Sequence, residues 1–280
     1  MLASIPLAAL ALAGSATASS LGFGVAKGVL ECARAVTQLS CHSKYEISAN
    51  SSATCCYNGA LQEGSKESGL FLATQFWDAQ PSTGPEDSTT IHGLWPDYCD
   101  GTYPQFCSNV SGIPEYTGAE IRSVLQKYDP ELLAYMDVYY KDYQGNDESF
   151  WEHEYNKHGT CISTLRTECQ PPLPGISRED YAVVGYFRQI VNRFRKLPTY
   201  RWLEEAGIVP SNTTTYTLAE IEGALSKKHG GVPYVGCTKK NQLDEFWYYF
   251  NTYGRIESGI FVPGPSTTKS SCPATGIRYL

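Results

Sequence analysis

The sequence predicts a single-domain α+β fold that is rich in disulfide bonds, and three observations lead to this class. The chain has 280 residues, of which 42% are hydrophobic, so it is long and apolar enough to bury a sizeable core. Segments with strand and helix patterns do not alternate regularly, which favours an α+β arrangement over a doubly wound parallel sheet. The ten cysteines are an even number, which in an exported chain predicts five disulfides.

The first 18 residues predict that the chain is exported. Residues 1–18 carry no charged side chain, are rich in alanine and leucine, and end in Ala16-Thr17-Ala18, a small-x-small sequence typical of signal-peptide cleavage. We therefore expect a signal peptide over residues 1–18 and one domain over residues 19–280. The alternative for the first segment is a buried N-terminal helix. Three N-glycosylation sequons fit export, and they begin at Asn50, Asn109 and Asn212.

The cysteines predict a disulfide framework whose pairing the residues themselves leave open. Cys55 and Cys56 are adjacent, and because a bridge between neighbours is strained, each must reach a different part of the fold. No two cysteines are separated by two residues, so a structural zinc site is not predicted. The ten are Cys32, Cys41, Cys55, Cys56, Cys99, Cys107, Cys161, Cys169, Cys237 and Cys272.

Three segments have the composition of β-strands. Residues 69–77 (GLFLATQFW) form a mainly apolar run, which predicts a buried strand. Residues 246–251 (FWYYFN) and 259–262 (GIFV) are rich in aromatic or β-branched side chains, which predicts two more.

The helices are predicted from apolar periodicity and capping residues. The clearest covers residues 178–195, with Ser177 and Asp180 resembling a capping box at its start. Its apolar face consists of Val184, Phe187, Val191 and Phe194. Three further helices are predicted over residues 119–127, over residues 132–139 after Pro130, and from the Thr217–Glu220 pair to near Gly230.

The charge balance excludes two classes of protein. Lysine and arginine total 22 and aspartate and glutamate total 29, which leaves a net charge of -7 with neutral histidines. A protein that coats nucleic acid without specificity, or a basic membrane binder, needs a positive field that this chain lacks. A nucleic-acid enzyme with a small local cationic site is still allowed. Beyond the N-terminus, no apolar run approaches the roughly 18 residues of a membrane-spanning helix.

Three of the five histidines lie in two aromatic-rich segments. His92 belongs to residues 91–97 (IHGLWPD), and His153 and His158 belong to residues 150–161 (FWEHEYNKHGTC). A helical zinc-protease motif needs its two histidines four residues apart. A spacing of five turns the second ring about 140° away from the first at 3.6 residues per turn. A zinc site is therefore not predicted here, and we expect no metal and no cofactor.

The second segment combines groups suited to cleaving a phosphodiester. If it is helical, Glu154 and His158 share one face, Lys157 lies beside them and His153 lies at the edge. Such groups are costly to pack together unless they perform electrostatic work. Two imidazoles can act as acid and base, and an ammonium stabilises charge that grows on phosphate oxygens. Without a metal the substrate must supply the nucleophile, which RNA does through its 2′-hydroxyl and DNA does not. The alternative for each segment alone is a structural histidine among core aromatic residues.

Together, IHGLWPD and FWEHEYNKHGTC resemble the two active-site signatures of the ribonuclease T2 family, the secreted acid ribonucleases, and among these the fungal branch. The resemblance covers the mature chain to about Cys272. It implies a central antiparallel sheet with flanking helices. It also implies the disulfides Cys32–Cys56, Cys41–Cys99, Cys55–Cys169, Cys107–Cys161 and Cys237–Cys272.

The resemblance assigns the catalytic roles. His158 would take the proton from the 2′-hydroxyl and His92 would protonate the departing 5′-oxygen. The two roles reverse when water opens the 2′,3′-cyclic phosphate. Glu154 and Lys157 would stabilise the pentacoordinate phosphorus, and His153 would hold the phosphate.

The resemblance also implies two sites for bases. Trp95 and Tyr103 would sandwich one base, and Asp97 would accept a hydrogen bond from an exocyclic amine, which favours adenine. Gln75 and Phe150 would line a second base pocket. Core packing is the alternative for Trp95 and Phe150. The remaining histidines, His42 and His229, match no motif position and are expected at the surface.

The function that follows is a secreted, metal-independent endoribonuclease of broad base specificity that acts as a monomer on single-stranded RNA, outside the cell or in a vacuole-like compartment. The rivals are a recognition protein that keeps the fold without the chemistry, and a metal-dependent nuclease or protease. The acidic composition and the histidine-based site together predict an acidic working pH.

Overall fold

The computed structural model describes residues 30–79 and 83–280, so the predicted signal peptide over residues 1–18 lies outside the described residues. The strands are β1 (Ser68–Phe76), β2 (Thr90–Tyr98), β3 (Thr215–Tyr216), β4 (Tyr234–Cys237), β5 (Leu243–Tyr253), β6 (Ile260–Gly264) and β7 (Ile277–Arg278). The main sheet has the order β2-β1-β5-β4, with β6 also paired to β5, and each of these pairs is antiparallel. Strands β3 and β7 form a separate two-stranded sheet.

Helices pack against this sheet, as the α+β prediction requires. They are α1 (Ser108–Ser111), α2 (Gly118–Tyr128), α3 (Pro130–Tyr139), α4 (Asp147–Lys157), α5 (Arg178–Phe194), α6 (Thr199–Glu205) and α7 (Leu218–His229). A helical segment also covers residues 30–35. Short 3-10 helices cover Ser52–Cys55, Glu63–Ser65, Gly159–Cys161, Ser163–Leu165 and Thr167–Cys169. The predicted α+β class with a central antiparallel sheet is confirmed.

The predicted helix starts are supported by local hydrogen bonds. The Ser177 hydroxyl accepts from the Asp180 N–H at the start of α5. Thr217 and Glu220 form a complete capping box on α7, and Gly230 ends that helix with a φ of 98°, a conformation that glycine adopts without strain. Pro130 occupies the first turn of α3, where its missing N–H costs nothing.

The two faces of the sheet have different partners because successive strand residues point to opposite sides. On one face, Phe71 and Ala73 of β1 pack into the main core together with α5 and the other long helices. On the other face, Leu70 and Leu72 of the same strand form a smaller cluster against Trp95 and Trp247. The second face is therefore the one that presents part of the IHGLWPD segment.

Several elements differ from the sequence-based expectation, and three of them lie in or beside the main sheet. Strand β2, strand β4 and helix α6 are present although their composition does not predict them. In β2, Gly93 and Pro96 are poor strand formers and interrupt the alternation of apolar and polar residues. Tertiary pairing with β1 overrides this weak local preference.

The structure contains five disulfides within its described residues, and they are the same pairs that the family resemblance implies. They are Cys32–Cys56, Cys41–Cys99, Cys55–Cys169, Cys107–Cys161 and Cys237–Cys272. The adjacent Cys55 and Cys56 do reach different partners. The Cys107–Cys161 bridge joins the loop before α1 to Cys161, the last residue of the second histidine segment.

Candidate active site

A β-bulge positions His92. Thr74 pairs with Gly93 and Gln75 pairs with Ile91, so His92 is the extra residue on β2 that has no partner on β1. Ile91 remains in the main core, while the bulge turns the His92 ring onto the other face of the sheet. There it stacks on Phe76 with ring centroids 3.9 Å apart and meets the edge of Trp95 at 4.7 Å.

Helix α4 brings the acidic partner to this face. Glu154 is 1% exposed, its Oε2 accepts a hydrogen bond of 2.7 Å from Trp95 Nε1, and its Oε1 lies 3.7 Å from His92 Nε2. The carboxylate passes so close to Gly93 that a Cβ there would overlap Glu154 Oε2 and lie 2.9 Å from Trp95 Nε1. The glycine between His92 and Trp95 thus gives the carboxylate room to reach both.

His158 follows the last residue of α4 and faces the same indole. Its ring stacks on Trp95 with centroids 5.0 Å apart and an interplanar angle of 20°, and the residue is 3% exposed. Both of its ring nitrogens are buried without a hydrogen-bond partner, as is Nδ1 of His92. Buried polar atoms in folded proteins normally have partners, so these nitrogens are suited to a ligand that enters between the two rings.

Tyr186 of α5 ties the two active-site segments together. Its hydroxyl lies 3.1 Å from the Leu94 carbonyl of β2 and 3.1 Å from the Glu154 carbonyl of α4. The residue is fully buried, so the contact links strand and helix from beneath. The motif residues of the two segments are therefore held on one rigid support.

Burial controls the charge of the three central groups. It raises the pKa of Glu154 to about 8, while the hydrogen bond from Trp95 and the charge of Lys157 act in the opposite direction. It lowers the pKa of His92 to about 3 and that of His158 to about 2, and Lys157 lowers both further. In the free protein the neutral forms are thus favoured at neutral pH. An anion between the rings favours their protonated forms.

The two other predicted catalytic residues lie at the open side of the site. Lys157 is partly buried in the last turn of α4, and its charge acts on all three central groups. His153 is exposed and touches the edge of Phe106 with ring centroids 6.3 Å apart. Burial and the charge of Lys157 both lower the pKa of His153. These two side chains therefore line the entrance of the candidate active site, while His92, Glu154 and His158 form its buried part.

Of the three residues predicted to bind the first base, Trp95 and Asp97 lie on β2 and Tyr103 lies in the exposed loop that follows it. Trp95 lies within the catalytic cluster, where it contacts both histidines and donates to Glu154. Asp97 lies two residues further along β2, is 7% exposed, and burial raises its pKa to about 8. Tyr103 is 58% exposed in the loop after β2 and has no ring contact to Trp95 in the described part of the chain. A base sandwiched by Trp95 and Tyr103 stays a prediction.

Gln75 lies on the opposite face from the site. It is 1% exposed, its amide nitrogen donates to the Leu197 carbonyl, and its amide oxygen accepts from Thr89 and Thr199. The prediction that it lines a second base pocket does not fit this position, because Gln75 and Phe76 alternate across β1. Phe76 occupies the site face instead. The strict alternation of side chains along β1 is the sequence signal that could have identified Phe76 as the residue on the site face.

Phe150 lies where the second base pocket is predicted. It is partly buried at the start of α4, with its ring centroid 5.8 Å from that of His92 and 6.3 Å from that of Phe76. Phe76 and Phe150 also line one cavity, and the rings of both lie against His92. Binding of a base there stays a prediction.

The remaining histidines lie outside the site, and one expectation about them is wrong. His42 is exposed, as expected. His229, expected at the surface, is 6% exposed, with its Nε2 3.2 Å from the Tyr249 carbonyl and its ring against Tyr248 and Phe250. It ends α7 above the sheet and serves packing. Among the described residues no group of three histidine, cysteine or acidic side chains is placed to hold a metal ion.

Comparisons of the sequence with known proteins agree on one family. A model of the ribonuclease T2 family matches residues 68–258. The chain is 46% identical over 250 residues to a protein of Aspergillus fumigatus called ribonuclease T2-like, which covers 87% of this chain and 55% of that protein. It is 45% identical over 244 residues to ribonuclease Trv of Hypocrea rufa, which covers 85% of this chain and 93% of that protein. The chain thus spans about half the length of some curated relatives and nearly all of others.

Solved structures share the fold. The crystal structure of Actibind, described as a T2 ribonuclease, matches with a TM-score of 0.75 and 43% identity over 86% of this chain and 94% of that one. The structure of RNase NT in complex with 5′-AMP matches with a TM-score of 0.53 over 75% of this chain and 97% of that one. At 22% identity this second similarity concerns the fold alone.

Proposed function

Because this chain belongs to the ribonuclease T2 family, we propose that it is a metal-independent endoribonuclease that cleaves single-stranded RNA at its bound phosphodiester. The observation that carries the proposal is the pair of imidazoles that both contact Trp95, with buried nitrogens that lack hydrogen-bond partners. A phosphodiester between them would satisfy these nitrogens. The same pair supplies an acid and a base within one site.

The reaction proceeds in two steps. His158 accepts the proton of the 2′-hydroxyl, the 2′-oxygen bonds to phosphorus, the bond to the 5′-oxygen breaks, and His92 donates a proton to that oxygen. The product is a 2′,3′-cyclic phosphate. In the second step His92 takes a proton from water, whose oxygen attacks phosphorus, and His158 returns a proton to the 2′-oxygen. The final product is a 3′-phosphate.

Glu154 and Lys157 stabilise the charge that develops around phosphorus. Lys157 offers a cation to the non-bridging oxygens. Burial raises the pKa of Glu154 to about 8, so at an acidic pH its neutral carboxyl, 3.7 Å from His92, acts as a hydrogen-bond donor to these oxygens. His153 lies at the entrance, where a protonated imidazole would hold the phosphate before reaction. An acidic working pH follows, because burial lowers the pKa of His92, and His92 must carry a proton to act as the acid.

Broad base specificity is part of the proposal. Stacking on Trp95 and Tyr103 tolerates any base, since each base has a flat aromatic face. Asp97 adds a preference for adenine, because burial raises its pKa to about 8 and its protonated carboxyl then offers one donor and one acceptor. Adenine presents an acceptor at N1 and a donor at its exocyclic amine on the matching edge.

Product analysis with a dinucleotide tests the proposed chemistry. ApA is incubated with the purified protein in excess chelator, and we expect first adenosine 2′,3′-cyclic phosphate and then adenosine 3′-phosphate. His92→Ala and His158→Ala should each reduce kcat by about 10²–10⁴-fold. The matched control is His42→Ala, because His42 is exposed and outside the site. Cleavage of the deoxy dinucleotide, or loss of activity in chelator, contradicts the proposal, and RNA binding without product favours the recognition protein.

The proposed location is the secretory route, leading to the medium or to a vacuole-like compartment. Five disulfides suit an oxidising compartment, and Asn50, Asn109 and Asn212 are all exposed. Within the described residues no helix is long and apolar enough to cross a bilayer. We propose that residues 1–18 are removed and that residues 19–280 form one monomeric ribonuclease domain. N-terminal sequencing, a mass shift on endoglycosidase treatment and light scattering of the purified protein test this.

A further inference from the structure

A second cavity lies beside the candidate active site, on the side of the loop that follows β2. Its volume is about 560 Å³, within the roughly 300–1,000 Å³ that small-molecule sites occupy. Residues 104–106 form one wall, directly after Tyr103, and Gln62 and Arg166 line other parts. We call it the loop cavity. None of the residues described so far as catalytic lines it.

The charge of the loop cavity is unusual for this chain. Its lining includes no carboxylate and one cation, Arg166, in a protein whose net charge is -7. The Arg166 guanidinium is anchored, because its Nη1 donates to the Ala49 carbonyl over 3.0 Å. By contrast, the cavity lined by Phe76 and Phe150 also includes Asp78, Asp142 and Asp244, with one lysine. A phosphate is therefore attracted to the loop cavity and finds no such attraction in the cavity lined by Phe76 and Phe150, which we call the acidic cavity.

Phe106 connects the loop cavity to the catalytic residues. Its ring lines the cavity, is 50% exposed, and meets the ring of His153 edge-on. Its backbone has a φ of 52°, which is strained for a bulky residue. The strain is held in place by the Phe106 N–H, which donates to the Lys157 carbonyl over 3.0 Å, and by the Cys107–Cys161 disulfide. An exposed aromatic ring held rigidly beside a phosphate-binding residue is suited to stacking a base.

We propose that the loop cavity is a third base subsite, which takes the nucleotide on the 5′ side of the one whose 2′-hydroxyl attacks. Its base stacks on Phe106 and its phosphate lies towards Arg166. The inference rests on the proposed function, which assigns the 2′-hydroxyl to His158 and the leaving 5′-oxygen to His92. The acidic cavity adjoins His92, which protonates the leaving 5′-oxygen, through Phe76 and Phe150, whereas the loop cavity lies beside His153 through Phe106 and includes neither of these rings.

The substrate polarity follows from the two cavities. A nucleotide added at the 5′ end gains an aromatic surface and a cation. A nucleotide added at the 3′ end brings its phosphate towards Asp78, Asp142 and Asp244. The enzyme therefore gains from an upstream nucleotide and not from a downstream one, so that it cleaves the bond at the 5′ end of a strand more slowly than the bonds that follow it.

Short substrates with a single ribose test this polarity. The reference is rApdA, the 5′-extended substrate is dAprApdA and the 3′-extended substrate is rApdApdA, so that only one bond in each has a neighbouring 2′-hydroxyl. The protein is treated with endoglycosidase first, because Asn50 lines the loop cavity and begins a sequon. We expect the 5′ extension to raise kcat/KM about tenfold, from the stacking of one base, and the 3′ extension to change it less than twofold.

Phe106 variants identify the residue responsible. The readout is the ratio of kcat/KM for the 5′-extended substrate to that for the reference, which cancels any general loss of activity. Phe106→Ala should bring this ratio close to one and Phe106→Tyr should preserve it. The matched control is Tyr143→Ala, which removes an equally exposed ring from the acidic cavity and should leave the ratio unchanged.

Other outcomes overturn the inference. A ratio near one in the unaltered protein, a ratio that survives Phe106→Ala, or a larger gain from the 3′ extension each contradicts the subsite. Failure to cleave the reference rApdA contradicts the proposed function itself, so the two failures are distinguishable.

Discussion

Replacing Gly93 by alanine tests the packing on which the candidate active site depends. Gly93 lies between His92 and Trp95 on β2, and its backbone conformation is one that alanine can adopt. A Cβ at this position would overlap Glu154 Oε2, lie 2.9 Å from Trp95 Nε1 and lie 3.2 Å from Glu154 Cδ. The Glu154 carboxyl must then move, although it is 1% exposed and has little free space around it.

The expected size of the effect has two parts. Overpacking in a filled site costs about 1–3 kcal/mol of unfolding free energy, and weakening the Trp95–Glu154 hydrogen bond adds about 1 kcal/mol. A total of about 3 kcal/mol lowers Tm by about 6–12 °C for a domain of this size. Displacing the carboxyl from its 3.7 Å position beside His92 should also reduce kcat by about 100-fold.

The assays are thermal denaturation followed by circular dichroism and steady-state cleavage of ApA. The matched control is Gly223→Ala, because Gly223 lies within helix α7 with no atom within 4 Å of its added Cβ. This control should keep its activity and gain up to about 1 kcal/mol, since alanine favours helix more than glycine does. A Gly93→Ala protein with unaltered kcat would show that the position of Glu154 does not matter for catalysis, and the proposed role would be wrong.

Two further predictions concern Asp97 and Gln75. Burial raises the pKa of Asp97 from 3.8 to about 8, so its contribution to stability is present below pH 4 and is lost as the pH rises to 8. Relative to the unaltered protein, the free energy of unfolding of Asp97→Asn should therefore rise by up to about 1.4 kcal/mol for each pH unit between pH 5 and 7, measured by urea denaturation. A difference that does not vary with pH would show that Asp97 is not a buried, protonated acid. Gln75→Leu should lower Tm by removing three buried hydrogen bonds, while the order of kcat/KM among different dinucleotides should not change. A changed order would show that Gln75 does contribute to a base pocket.

Motifs and local patterns carried much of the prediction. The two histidine segments identify His92, Glu154 and His158 as one site, and the structure brings all three against Trp95. The helix starts at Ser177 and Thr217 follow from residues three positions apart, and the structure contains both. Such features depend on contacts within about one helical turn, so the chain carries them regardless of its partners.

Other features depend on which segments meet. The bulge that turns His92 onto the site face exists only in the register between β1 and β2. The same register sends Gln75 into the core and Phe76 to the site, and the end of α7 carries His229 into the interior instead of leaving it at the surface. No periodicity within a single segment distinguishes these outcomes, because a strand side chain changes face whenever its register shifts by one residue.

The sequence by itself determined the fold class, the approximate boundaries of four helices and the chemical identity of the groups in the site. The tertiary structure alone decided which atoms those groups face and how they ionise. Trp95 and Glu154 are 59 positions apart in the chain, and their hydrogen bond forms only when α4 packs against β2. Burial then raises the pKa of Glu154 and lowers those of both histidines, because the charged forms lose contact with water only in the assembled fold.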